Sequence, residues 1–225
     1  MLMNKTELID ALADAKLLNQ AYHKPNLTFR NEQATIDEKK TGVWIALAGS
    51  NDLKDWWQNY TMFRRPWWQK VVPKRTPLKI IPGTSWKATA GYVDAAETAC
   101  KMIRSQISKT QPLFFSGHSK GGPVIAISAI MLATESYNVQ RVRTFAAPRF
   151  SKKPIPAPCL KNIKQYATTE DVVPRLPCRW ADQSKLLMLG DPDVDKLGMI
   201  RDAWDAVEAH LIEAYIEELE KEIKK

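Results

Sequence analysis

Cysteines, long apolar runs and histidines are all scarce in this 225-residue chain, and each shortage removes a class of protein. The three cysteines, Cys100, Cys159 and Cys178, show no metal-ligand spacing and cannot all pair. They read as reduced, buried thiols, with a Cys159 to Cys178 bridge left open as the alternative. No apolar run approaches membrane-spanning length. Lys5, Glu7 and Asp10 stand where a secretory signal would keep an apolar core, so the default expectation is a cytoplasmic protein, with release or peripheral membrane attachment open. No glycine-serine linker or internal repeat divides the chain, and residues 1–225 read as a single domain long enough to bury a full core.

Acidic residues are missing from one long stretch. Between Asp55 and Asp94 there is none, whereas Arg64, Arg65, Lys70, Lys74, Arg75, Lys79 and Lys87 all fall inside, seven cations in a chain of net charge +8. Trp56, Trp57, Tyr60, Phe63, Trp67, Trp68 and Trp86 lie among them. Cations mixed with large amphipathic rings suit a lipid headgroup boundary, a nucleic-acid strand being the disfavoured alternative.

What remains is patterned as alternating helix and strand. Asn4 to Glu7 resembles a helix start with a reciprocal cap, and Leu8, Ala11, Leu12, Ala15 and Leu18 follow at helical spacing, predicting a helix to about Tyr22. Short apolar runs at 43–48, 113–115, 142–147 and 163–167 predict strands covered on both faces. Helices are expected at 92–108 and 121–134, with a last long one from about Asp195. That order argues for an α/β protein with a mostly parallel sheet flanked by helices.

Gly117-His118-Ser119-Lys120-Gly121-Gly122 lies between one such strand and the helix at 121–134, the context in which G-x-S-x-G presents a nucleophilic serine. The bare pattern would occur in a chain this long roughly one time in fifteen, so partners must carry the argument. A nucleophilic Ser119 needs an imidazole to take its proton, and the chain has three histidines. His118 is adjacent on a tight turn, so its side chain points away and packs beside the strand end. His23 falls in a polar stretch ending the first helix and reads as a surface residue. His210, after the last strand, fits the chain order Ser, Asp, His. The orienting carboxylate should end a strand, where Asp171 fits, with Glu170 its nearest competitor and Asp191, Asp193 and Asp195 more distant ones. Donors for an oxyanion would be the Lys120 backbone N–H and the Gly49-Ser50 loop, Ser50 otherwise reading as a plain helix cap.

With these residues set out, the chain resembles the class 3 lipases, α/β-hydrolases of the fungal lipase type, from about Val43 to Leu219. Ala48-Gly49-Ser50 with Asp55-Trp56 resembles that family's oxyanion loop, and residues 117–122 its Gly-His-Ser-Leu-Gly-Gly elbow. Thr144 to Arg149 resembles its Thr-Phe-Gly-Ser-Pro-Arg segment, residues 171–177 its Asp-x-Val-Pro-x-Leu-Pro, and His210, Tyr215 and Leu219 its ending. The resemblance implies an α/β-hydrolase fold with a lid at about 56–88. It also implies a serine ester hydrolase of lipase or phospholipase A type, with Ser119, Asp171 and His210 as triad, Ser50 and Lys120 at the oxyanion hole, and no metal or organic cofactor. Ala48 and Lys120 depart from the family's arginine and leucine, and Thr89 to Tyr92 lacks a histidine often found there.

The basic aromatic segment occupies the lid position. Phe63, Trp67 and Trp68 are expected to enter a lipid surface while Arg64, Arg65, Lys70, Lys74 and Arg75 meet anionic headgroups, favouring a phospholipid substrate. Residues 191–202 carry an aspartate pattern like a calcium loop, but Lys196 stands where the glycine belongs, and a helix cap at Asp193 or Asp195 is the better account. The competing reading is a catalytically weak or inactive module of the same fold that binds anionic membranes or nucleic acid.

Overall fold

The computed structural model describes residues 3–29, 32–49, 77–161, 163–177, 180–184, 186–190 and 208–225. Helix α1 (Lys5–His23) begins where the Asn4 side chain accepts a hydrogen bond from the Glu7 backbone N–H at 2.8 Å. The Glu7 carboxylate does not return to Asn4 as a reciprocal cap would require. It receives hydrogen bonds from Arg143, Lys164 and Tyr166 of the sheet instead.

Three strands follow: β1 (Leu27–Phe29), β2 (Glu32–Lys39) and β3 (Gly42–Leu47). After them come the hairpin β4 (Leu78–Ile80) and β5 (Lys87–Thr89), helix α2 (Ala90–Gln106), strand β6 (Leu113–His118) and helix α3 (Gly121–Thr134). Strands β7 (Val139–Phe145), β8 (Lys164–Thr168) and β9 (Leu186–Leu189) and helix α4 (Ile212–Lys224) complete the described elements. Among the described residues the main sheet has the order β1-β2-β3-β6-β7-β8-β9. The pairs from β3 to β9 are parallel, and the pairs from β1 to β3 are antiparallel.

Alternation along the strands feeds two apolar layers. Val43, Ile45, Leu47, Leu113, Phe115 and Val142 face α2 and α3, whose Val93, Ala96, Cys100, Ile125 and Ala129 close one core. Ala46, Phe145 and Tyr166 face the other way, onto Leu8, Ala11, Ala15 and Leu18 of α1 and Ile212, Tyr215 and Leu219 of α4. Helix α3 is buried continuously from Gly121 to Leu132, as its unbroken apolar sequence requires.

Helix α1 is also clamped electrostatically. Asp14, 2% exposed, takes both oxygens to Arg141 at 2.8 Å, and Arg143, equally buried, reaches Asp14 at 2.8 Å and Glu7 at 2.9 Å. Burial alone would raise the Glu7 carboxyl, but hydrogen bonds from Lys164 and Tyr166 and the charge of Arg143 hold it below the ordinary carboxylate value.

Several expectations shift. Strand β7 starts three residues before the apolar run and ends at Phe145, because Ala146 adopts a left-handed backbone with φ of 54°. Strand β2 was hidden by its charge and is made by pairing with β3 from Ala34↔Leu47 to Lys39↔Gly42. The last helix is broken after His210: Leu211 has extended backbone, ψ 147°, and α4 starts beyond it. The late part of the expected lid is anchored to the body of the protein: Ile81 and Ala88 are fully buried, Trp86 packs on the same cluster and Lys79 pairs with Asp94 and Glu97 on α2. The earlier part of that lid, Cys178 and the aspartate pattern at 191–202 lie outside the described residues. No described helix is long and apolar enough to cross a membrane.

Candidate active site

Strand β6 runs straight into the Ser119 turn and α3 leaves directly from it. Ser119 has φ of 51°, a conformation an L-residue holds only under constraint, at a cost of about 1–2 kcal/mol. The flanking glycines permit the turn. A Cβ on Gly117 would fall 2.6 Å from the Gly121 carbonyl oxygen, and one on Gly121 would fall 2.3 Å from that of Leu47.

The tertiary fold brings two distant residues onto this serine. His210 Nε2 lies 2.8 Å from Ser119 Oγ, and His210 Nδ1 lies 2.9 Å from Asp171 Oδ2. All three are buried, Ser119 at 6%, His210 at 2% and Asp171 at 1% exposure. Asp171 follows β8 and is held as an acceptor: the Val173 N–H donates to Oδ1 at 2.9 Å, and the Tyr215 hydroxyl donates to Oδ2 at 2.7 Å. With Nδ1–H directed to that carboxylate, Nε2 is left to accept from the serine hydroxyl. Burial first, and then the Asp171 charge, push the Tyr215 phenol well above its ordinary value, so it remains a donor.

Glu170, the sequence competitor, is half-buried one residue earlier, and it is Asp171 whose Oδ2 lies against His210 Nδ1. His23 is an exposed residue beside Glu213. His118 is buried beside the strand end, and it is more than packing: Nδ1 lies 2.6 Å from the Tyr22 hydroxyl and Nε2 lies 2.9 Å from the His210 carbonyl oxygen. Burial, and after it the His210 charge, hold the His118 ring well below the ordinary histidine value. Tyr22 had no signal in the sequence, since it stands 96 residues from its partner.

Lys120 immediately precedes α3 as its N-cap residue, so its N–H belongs to the first, donor-rich turn of that helix. The Gly49 N–H, part of the expected oxyanion loop, donates to Tyr22 Oη at 2.7 Å. Ser50 and the expected lipid-surface residues Phe63, Arg64, Arg65, Trp67 and Trp68 lie outside the described residues, as do Asp191, Asp193 and Asp195.

A mostly parallel sheet flanked by helices, with a serine on the sharp strand-to-helix turn and an aspartate and histidine supplied later in the chain, defines the α/β-hydrolase class. The sequence profile of Lipase (class 3) matches residues 44–180, and the chain belongs to that family. That match contains Ser119 and Asp171, and His210 lies beyond it. No curated protein matches the chain by sequence.

Solved structures agree on the fold. Yarrowia lipolytica LIP2 lipase is 12% identical with TM-score 0.57, covering 85% of this chain and 82% of its own. A variant of MDLA from Penicillium cyclopium is 16% identical with TM-score 0.58, covering 92% and 96%. M37 lipase is 15% identical with TM-score 0.59, covering 87% and 77%. Family membership makes this protein a carboxylic ester hydrolase of lipase type, with lipid or ester substrates.

Proposed function

We propose that the chain works as one domain that cleaves acyl esters of lipids through an acyl-serine intermediate. Ser119 Oγ attacks the ester carbonyl carbon as His210 Nε2 takes its proton, and Asp171 holds the ring and balances the imidazolium that forms. Collapse of the tetrahedral intermediate breaks the bond to the alcohol, which leaves with the proton from His210. A water molecule then attacks the acyl-serine, giving its proton to His210; the bond from the acyl carbon to Ser119 Oγ breaks, His210 returns the proton to Oγ, and the fatty acid departs. The Lys120 N–H and Ser50 are assigned to the oxyanion. The observation that carries the reading is the buried run of contacts from Ser119 Oγ through both nitrogens of His210 to Asp171.

The similar Rhizomucor miehei structure is that of a triacylglyceride lipase, so neutral glycerides belong among the substrates to test. The basic aromatic segment favours a phospholipid, because each of Arg64, Arg65, Lys70, Lys74 and Arg75 near an anionic surface adds about 1 kcal/mol of attraction. In this reading Phe63, Trp67 and Trp68 enter the lipid surface and Arg64 and Arg65 meet its headgroups.

The test compares wild type with Ser119→Ala on p-nitrophenyl esters of short and long acyl chain, then on an emulsified triglyceride and on mixed phosphatidylglycerol and phosphatidylcholine vesicles. Turnover is expected to fall roughly a million-fold to background in the variant, with the fold unchanged. Wild-type rates should rise with the anionic lipid fraction and fall with salt. Activity persisting in purified Ser119→Ala would overturn the triad assignment. A wild type that binds vesicles without releasing product would favour a binding module.

A further inference from the structure

Behind the triad runs a second hydrogen-bonded chain that the acyl-transfer steps do not use. Its direction follows from what each atom can do. The His210 carbonyl oxygen can only accept, so His118 Nε2, 2.9 Å from it, carries the proton. A neutral ring then leaves Nδ1 as acceptor, and the Tyr22 hydroxyl donates to it at 2.6 Å. The same phenolic oxygen accepts from the Gly49 N–H at 2.7 Å. One line of donors therefore runs from Gly49, through Tyr22 and His118, to the backbone of His210.

Its two ends are the parts of the site that must keep register across the nucleophile. Gly49 is pressed into place: a Cβ there would fall 2.7 Å from Tyr22 Oη and 2.9 Å from Ser119 Cβ. It immediately precedes Ser50. The other end is the carbonyl of the candidate base, whose backbone turns extended at the next residue. Tyr22 itself is brought there by the last turn of α1, the helix that Arg141 and Arg143 clamp through Asp14.

We propose that Tyr22 and His118 are positioning residues that tie the loop after β3 to the backbone of His210, fixing the oxyanion side and the base at one separation across Ser119. The inference rests on the serine hydrolase reading above. It requires Tyr22 as a hydroxyl and His118 as an Nε2–H donor, each acting through the backbone it holds, that of Gly49 or of His210. It also assigns the Gly49 N–H to Tyr22, leaving the oxyanion to Lys120 and Ser50.

The test uses the full chain, with p-nitrophenyl butyrate turnover and the labelling rate by a fluorophosphonate as readouts. Tyr22→Phe should lower kcat and the labelling rate together, by roughly tenfold, through misplacement alone. KM should stay within about twofold, since no substrate contact is removed. At His118, glutamine places an N–H near the Nε2 position, whereas asparagine keeps only a group near Nδ1. His118→Gln should therefore retain about a third or more of kcat, while His118→Asn and His118→Ala fall roughly tenfold. If His118→Ala does not fold by circular dichroism, the glutamine and asparagine pair and Tyr22→Phe carry the comparison.

A wild type that is neither active nor labelled would remove the hydrolase reading and this proposal with it. A labelled wild type whose Tyr22 and His118 variants keep kcat and labelling within about twofold would overturn the proposal and leave that reading standing. Equal losses in His118→Gln and His118→Asn would overturn the role of the Nε2 donor.

Discussion

Tyr215→Phe deletes one oxygen and leaves a ring whose edge-on contacts with His118 and Phe145, both with centroids at 6.2 Å, stay as they are. The lost hydroxyl is fully buried and donates to Asp171 Oδ2 at 2.7 Å. It also accepts from the Thr168 N–H, but at 3.4 Å that bond adds little. A hydrogen bond to a charged partner contributes about 1.5–3 kcal/mol, and in a chain of this size each kcal/mol moves Tm by about 2–4 °C. Thermal unfolding should therefore come about 3–12 °C earlier.

Activity should suffer less than stability suggests, because Asp171 keeps the Val173 N–H and the His210 ring. We expect kcat on p-nitrophenyl butyrate to fall about tenfold or less, far from the roughly 10⁴-fold loss that follows misorienting a triad histidine. Because burial keeps the phenol protonated, the Tm difference should be constant across neutral and mildly alkaline pH. A Tm within about 1 °C of wild type would refute the energetic argument. A 10⁴-fold loss of kcat would show that Tyr215 does more than hold the carboxylate.

Further outcomes follow from the same packing. The buried His118 resists protonation in the folded state but not in the unfolded one, so in the window just below pH 6.5 the unfolded chain binds more protons. Stability should then fall by roughly 1 kcal/mol per pH unit on acidification, and denaturant titrations of His118→Gln should show that part of the slope removed. Glu7, held below its ordinary value, contributes stability above that value that is lost as pH falls through its folded pKa, so the advantage of wild type over Glu7→Gln in denaturant titrations should be full at neutral pH and shrink on acidification. Asp14→Ala strands the buried Arg143 with reduced compensation and should cost about 3–5 kcal/mol in chemical denaturation. Gly121→Ala forces a methyl against the Leu47 backbone oxygen and should lower both Tm and the yield of active enzyme.

The sequence determined those parts of the protein in which local pattern and chemistry coincide. The apolar runs at Val43 and Leu113 became strands because both their faces are covered, and the capped, periodic start at Asn4 became α1. Ser119 was legible from its glycines and its strand-to-helix setting, and His210 from the shortage of histidines. Tertiary structure decided the rest, because those features depend on neighbours far away in the chain. Charged β2 is a strand only by pairing with β3, and the break at Leu211 appears only in the folded chain. Asp171 was chosen over Glu170 by which of two adjacent carboxyls the turn after β8 points at His210. Nothing local could have named Tyr22: it joins the site because Arg141 and Arg143 on β7 fix α1 against the sheet, and that helix's last turn then falls beside His118 and Gly49.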